Sequence, residues 1–357
     1  MANLYITSTE TFSGKSALCI GLGSRFRTDG FKVGYMKPVN INYSPSNGFA
    51  SDDDVLFARR VFDMTEPARL LSPVALLSIE LEQRLRGPEP DYVPQLMRAF
   101  EQVSAGRDVM VLEGGRSLRE GYVAALPPKK VVQLLGARIL VVLKFDETLM
   151  VDRALSAQDY FGTADLDVVI NQVPKERIEY VQEVICPFLA RLGIRLLGVL
   201  PHAPLLSSPT IVELKAGLHA EVLCGADELD ELVENMLVGA MNVESALMYF
   251  RRKPNKAVIT GGDRADIQMA ALETSTRCLI LTGNLYPNPA VLFRAEELRV
   301  PVLFTSLDTL STVEIIEGYF GRSRFQQPQK MEHFSALLDA NFDYFALYRS
   351  LGLPYRG

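Results

Sequence analysis

The chain has 357 residues, 48% of them hydrophobic, which is enough to fill two ordinary cores, so two globular domains are expected. A formal net charge of -6 offers no basic footprint for a phosphate backbone and leaves nucleic acid out of the expected partners.

In chain order, 4-LYITSTETFSGKSALCIGL-22 reads as a strand at Leu4–Ile6, a loop ending Gly14-Lys15-Ser16 and a helix over Ser16–Arg27. Further apolar runs stand at Lys32–Met36, Val109–Leu112, Ile139–Leu143, Val168–Ile170 and Leu196–Leu200. They are short and rich in Val, Ile and Leu, as strands buried on both faces are. Helices such as Val93–Ala105 and Arg177–Leu192 fall between them. The alternation predicts an α/β fold with a doubly wound parallel sheet. Around 201-PHAPLLSSPTIVEL-214 prolines and serines break the pattern, and Pro209-Thr210 can open a new helix.

A second, smaller α/β unit follows. Its predicted elements are a strand at Lys256–Thr260, a helix at Ala265–Glu273, a strand at Cys278–Leu281, a helix near Pro289–Glu297 and a strand at Val302–Phe304. The stretch after Phe325 is aromatic and helical in pattern and is expected to dock on a protein surface. The expected boundaries are 1–205, 206–324 and a helical tail over 325–357.

Cys19, Cys186, Cys224 and Cys278 are far apart with no Cys-x-x-Cys, so neither a zinc site nor a disulfide framework is expected. His202, His219 and His333 form no metal spacing with them. The sequence has no basic-then-apolar leader and no run of roughly 18 apolar residues; a cytoplasmic protein with no membrane partner is the expectation.

A phosphate-binding loop gathers backbone N–H groups and a helix N-terminus around phosphates, with a lysine adding charge and the next hydroxyl meeting Mg²⁺. The stretch 8-STETFSGKS-16 has Gly14, Lys15 and Ser16 in that order, although Thr9 stands where a glycine is usual. Three more stretches bear on it. Lys37, in 33-VGYMKPVN-40, brings a second ammonium to the carboxyl edge of the sheet, where ligands of open α/β folds bind; alone it would read as a solvated lysine. The carboxylates of 51-SDDDVLFARR-60 open a helix, as metal ligands or as plain caps. Glu113, in 109-VMVLEGGRS-117, ends a buried strand where a Mg²⁺-organising carboxylate belongs.

Together these positions resemble the dethiobiotin synthetase family of P-loop enzymes, whose loop reads Gly-Thr-Asp-Thr-x-x-Gly-Lys-Thr. The resemblance implies ATP and Mg²⁺ as cofactors. It implies a nucleotide-binding loop of Thr9, Thr11, Ser13, Gly14, Lys15 and Ser16. Metal ligands would come from Ser16, Glu113 and one of Asp52, Asp53 and Asp54, with Asp54 favoured. Lys37 and Lys15 would be the catalytic lysines, Lys37 on the substrate side. Asn171 in 168-VVINQVP-174 would contact adenine; on spacing alone a side chain closing a strand-end turn is an equal reading. Ser8 replaces the family's first loop glycine, which puts efficient catalysis in doubt if that backbone needs a positive φ.

The second half, 256-KAVITGGDRADIQMAALET-274 with 279-LILTGNLYPNPAVLFRAEELRVPVLFTSLDTLST-312, resembles the DRTGG domain, with Gly-Gly-Asp-Arg-Ala-Asp at the motif. A synthetase-like P-loop domain joined to a DRTGG domain resembles the N-terminal regulatory part of long bacterial phosphate acetyltransferases. No acetyl transfer is expected of this chain alone. Asp263-Arg264 and Asp308-Thr309 each open a helix; they either hold an anion or cap the helix, and capping, or pairing of Asp263 with Arg264, is favoured.

Three functions are compatible with these residues. The first is a nucleotide-responsive regulatory or partner-binding protein that assembles as a homo-oligomer, most simply a dimer joined through the second domain and its aromatic tail. The second is an ATP-dependent ligase acting on a small carboxylate or carbamate. The third is a structural interaction module with a vestigial loop. The altered loop glycine and the extra domain favour the first over the second, and Lys15, Ser16 and Glu113 stand against the third.

Overall fold

The computed structural model describes residues 1–40, 53–75, 82, 85–87, 91–321 and 325–355. Contacts divide the chain into two units, Met1–His202 with Gln326–Gly357, and Ala203–Phe325.

The first unit is built on a six-stranded sheet in the order β2-β5-β1-β6-β7-β8, every pairing parallel. Its strands are β1 (Ala2–Ser8), β2 (Val33–Met36), β5 (Val109–Glu113), β6 (Arg138–Lys144), β7 (Leu166–Val173) and β8 (Ile194–Pro201). A separate parallel pair joins β3 (Val39–Asn40) to β4 (Val74–Ala75). Every residue of β2 and β5 is buried, as the unbroken apolar runs require of strands covered on both faces. The connecting helices include α1 (Lys15–Thr28), α2 (Asp53–Val61), α3 (Val93–Ser104), α4 (Pro128–Leu135) and α5 (Met150–Phe161). The chain leaves β1 toward β2 and β5 on one side and later builds β6 to β8 on the other. The order therefore reverses at β1, the place where open α/β sheets bind ligands beyond the strands' carboxyl ends.

One predicted helix is interrupted. Over the expected Arg177–Leu192, Ile178–Tyr180 is α-helical, Val181–Ile185 forms a π turn and Cys186–Arg191 resumes the α form. Pro187 lacks the N–H that an α ladder needs, and the wider turn before it absorbs the missing bond.

In the second unit a five-stranded sheet runs in the order β10-β11-β12-β13-β9. The strands are β9 (Glu221–Cys224), β10 (Asn235–Val238), β11 (Lys256–Gly261), β12 (Thr276–Thr282) and β13 (Val302–Phe304); only β9 pairs antiparallel. Alternation along the strands splits the core. Val258, Leu279, Leu281, Val302 and Phe304 pack under α7 (Val243–Arg252), α8 (Ala265–Leu272) and α9 (Pro289–Glu297). Ala257, Ile259, Cys278, Ile280 and Leu303 face α6 (Ile211–Leu218) and α10 (Thr309–Tyr319). The strands β9 and β10 are too short and mixed in pattern to stand out in the sequence. Thr210 opens α6 with a full capping box to Glu213.

The last helices, α11 (Pro328–Asn341) and α12 (Tyr344–Leu351), belong to the first unit. This corrects the reading of the aromatic tail as a contact surface. Phe334, Phe342, Tyr344 and Tyr348 are buried on their own chain, while Phe345 and Tyr355 are exposed. Phe26 and Phe31 receive Tyr348 at ring distances of 5.3 and 6.0 Å. The backbone N–H of Asp343 donates to Leu197 O on β8 at 2.7 Å. Against α1 the approach is tight: a Cβ on Gly21 would lie 2.5 Å from Leu338 Cδ1, so the glycine is what lets α11 lie on α1. Leu338 is fully buried. Leu338→Ala is expected to destabilise the first unit by about 2–5 kcal/mol, read as a lower urea midpoint for its transition.

Candidate functional site

The loop between β1 and α1 is positioned from both ends. At its start Ser8, the last residue of β1, is buried, and its hydroxyl donates to Glu10 O at 2.8 Å and Arg116 O at 3.2 Å. Ser8 is not among the residues with positive φ; Phe12 (φ 56) and Gly14 (φ 89) carry that conformation. The concern that serine strains this position is thereby corrected, because strand geometry suits any residue. Glu10 is tied back through Arg153, 2.7 Å away, and the backbone N–H of Lys144.

At the loop's end Asn171, buried at the end of β7, donates from Nδ2 to Ser13 O at 2.8 Å, and its Oδ1 accepts from the N–H of Gln172. Gln172 donates from Nε2 to Phe12 O at 3.0 Å. A Cβ on Gly14 would fall 2.1 Å from Asn171 Nδ2, so glycine is needed there both for its φ and for this close approach. Asn171, the third residue from the end of β7, thus holds the loop from beneath.

Gly14 is the N-cap of the 14-residue α1 and supplies no side-chain cap, leaving the first-turn N–H groups to whatever sits in the loop. Lys15 and Ser16 then turn onto one carboxylate. Lys15 Nζ and Ser16 Oγ donate to Glu113 Oε1 at 2.8 and 2.7 Å. Tyr35 OH donates to Glu113 Oε2 at 2.7 Å, and Ser16 Oγ lies 3.5 Å from Asp54 Oδ2. Glu113 is only 2% exposed. Burial pushes its carboxyl up, but the Lys15 and Lys37 ammonium groups and the donors on Lys15 and Ser16 outweigh this and hold it down at about 2. Lys37, just past β2, is buried and acts on Glu113 electrostatically.

Lys15, Ser16, Asp54 and Glu113 are thus brought together, with Lys37 close enough to act on the same carboxylate. Ser13, Gly14 and Asn171 meet at the loop's underside. Thr11 is exposed on the loop, whereas Thr9 Oγ1 is buried with no hydrogen-bond partner among the described residues. Asp53 lines a groove with Leu56, Arg59 and Met64, and Asp52 lies outside the described residues. Tyr35 was missed by the sequence reading. The available signal was parity, since Tyr35 and Glu113 fall on one face of adjacent strands.

The residues fit a phosphate group and a hard divalent cation. The loop offers a helix N-terminus with no side-chain cap and a lysine, beside two carboxylates and a hydroxyl of the oxygen type that Mg²⁺ takes.

In the second unit, Asp308 caps α10 by accepting from the N–H of Ser311 at 2.9 Å. At α8 the expected capping is corrected. Arg264 stands at the N-cap without a side-chain cap bond and pairs with Asp266 at 3.0 Å rather than with Asp263. All four cysteines are free thiols, Cys19 and Cys278 buried. No group of three or more His, Cys, Asp or Glu that could hold a metal occurs among the described residues, nor is any described helix long and apolar enough to cross a membrane.

Residues 2–210, more than half of the chain, match the family described as an AAA domain, and the chain belongs to that family. Residues 213–319 match the DRTGG domain. The phosphate acetyltransferase of Synechocystis sp. is 27% identical over 361 residues, covering 96% of this chain and 50% of that protein. That of Nitratidesulfovibrio vulgaris is 26% identical with the same coverage. The ATP-dependent dethiobiotin synthetase of Thermodesulfovibrio yellowstonii is 28% identical over 116 residues, covering 32% of this chain and 48% of that protein. The chain thus spans about half the length of the curated relatives it matches, and combines a dethiobiotin synthetase-like P-loop domain with a DRTGG domain.

The depressed Glu113 carboxyl has a consequence for acid stability. The ionised form contributes its full stability above the ordinary carboxylate value of about 4.3 and loses it as pH falls through the folded value of about 2. Glu113→Gln has no proton to take up, so its urea midpoint is expected to fall less than the parent's between pH 5 and pH 2. Parallel decline of the two would deny the carboxylate this role.

Proposed function

We propose that this chain is a nucleotide-responsive regulatory or partner-binding protein whose first unit takes ATP with Mg²⁺. Lys15 and the first-turn N–H groups of α1 would hold the phosphates, and Ser16, Asp54 and Glu113 would hold the metal, which when bound neutralises phosphate charge. The observation that carries this reading is the convergence of Lys15 and Ser16 on the buried Glu113, at 2.8 and 2.7 Å. A carboxylate so placed keeps the lysine and hydroxyl aimed into the loop, and the phosphates and metal would replace that contact. The P-loop and DRTGG matches, together with similarity to about half of each phosphate acetyltransferase, support the regulatory reading. A partner protein, or a second copy of this chain, fits the second unit, where Tyr286, Phe293 and Leu310 stand exposed.

A ligase reading keeps one supporting observation: Lys37 is buried beside the same carboxylate, where it could face a small acid. Turnover of ATP with such acids would favour it over regulation.

The nucleotide assignment is tested at Lys15. Charge-assisted contacts of this kind contribute about 1.5–3 kcal/mol, so Lys15→Ala should weaken ATP binding by roughly ten- to hundredfold in calorimetry. Because the substitution also strips a cation from buried Glu113, the double variant Lys15→Ala/Glu113→Gln should be measured beside it and should show at least as large a loss, since it also removes a proposed metal ligand. ATP affinity equal to the parent's in both variants would remove the P-loop from the function.

A further inference from the structure

We propose that Tyr35 is a positioning residue that aims the Glu113 carboxylate at the metal and phosphate site; this rests on the reading above, in which Glu113 helps to hold Mg²⁺. Tyr35 lies in register with Val111 on the neighbouring strand. Glu113 is two residues further along β5 and so projects from the same face. The phenol reaches forward along that face to Glu113 Oε2 at 2.7 Å, while Oε1 takes Lys15 and Ser16.

The two carboxylate oxygens are therefore divided between different kinds of partner. Lys15 and Ser16 are the groups that phosphates and metal would engage, so their bonds to Glu113 are the ones a ligand would exchange. Tyr35 is not among the groups proposed to meet phosphate or metal. Its side chain is fully buried and its ring packs 6.2 Å from that of Phe62, so the hydroxyl cannot swing away when the ligand enters. With one oxygen pinned, rotation of the carboxylate about its last bond is blocked and Oε1 stays directed at the loop. Phenylalanine at the same position would fill the same space and leave that rotation open.

A tyrosine that merely satisfied a buried carboxylate would affect stability and all nucleotide binding alike. A positioning tyrosine affects the part that depends on metal. ATP binding by the full chain is measured by calorimetry with Mg²⁺ and with a chelator instead, for the parent, Tyr35→Phe and Tyr35→His. For Tyr35→Phe the affinity in chelator should stay near the parent's, while the gain on adding Mg²⁺ should shrink about tenfold or more, within the ~10–100-fold range typical of groups that orient metal ligands. Tyr35→His, which can still donate from its ring, should recover part of that gain, and Tyr35→Phe should have no further effect in a Glu113→Gln background.

An unchanged Mg²⁺ gain in Tyr35→Phe overturns the inference, as do equal losses with and without metal. Failure of both variants to fold, seen by circular dichroism, would make the hydroxyl part of the fold and overturn it too. A parent that binds no ATP under either condition would instead overturn the nucleotide reading on which the inference rests.

Discussion

The arrangement depends on a carboxylate that is buried and still ionised. Glu113 ends β5, an inner strand of the parallel sheet between β2 and β1, at 2% exposure. An unpaired charge there would be too costly to keep, and the group would take up a proton. It remains charged because cations and donors surround it: Lys15 and Ser16 from the start of α1, Tyr35 from β2, and the field of Lys37 just beyond. Residues separated by almost a hundred positions thus have to meet, and only the order β2-β5-β1 makes their strand ends neighbours.

The same carboxylate constrains the loop. Lys15 and Ser16 cannot reach Glu113 unless α1 begins where it does, and α1 begins there because Gly14 turns at φ 89 against the amide of Asn171. Asn171 and Gln172 support the backbone from β7, and Glu10 is fixed through Arg153 and the end of β6. The loop is held by β7, β6 and β5 together rather than by a run of glycines. That is why serine at position 8 is compatible with it: the demanding φ falls on Phe12 and Gly14, and Ser8 remains strand.

Much of this was legible in the sequence, for identifiable reasons. The buried strands announce themselves as apolar runs, and Gly14-Lys15-Ser16 between strand and helix marks the loop. Glu113 stands out as an acid ending such a run. What could not be read depends on register or on distant packing. Tyr35 looks like any strand aromatic until the pairing with Val111 puts it on the face of Glu113. Asn171 offers an amide whose partner could be a base or a backbone, and only the nearness of Ser13 O decides what it touches. The aromatic tail was misread because a helix rich in Phe and Tyr has the same pattern whether it covers its own chain or another. The space above Gly21, which admits Leu338, is not visible in one dimension.

The two sheets also differ at the carboxyl ends of their strands. Both units present the carboxyl ends of parallel strands, the usual place for ligands in such folds, but they treat that edge differently. In the second unit the polar groups there largely pair with one another. Gln268 donates to Gly261 O and Gly262 O, Thr282 bonds Thr309, Arg264 pairs with Asp266, and α10 carries its own cap in Asp308. In the first unit two lysines and two carboxylates gather on one side. Concentrated charge of this kind is costly for a fold that gains nothing from it, and self-paired polar groups are what a scaffold or contact module keeps. The contrast is one of charge: the edge beside Glu113 gathers two lysines and two carboxylates, while the described polar groups named at the other edge pair among themselves.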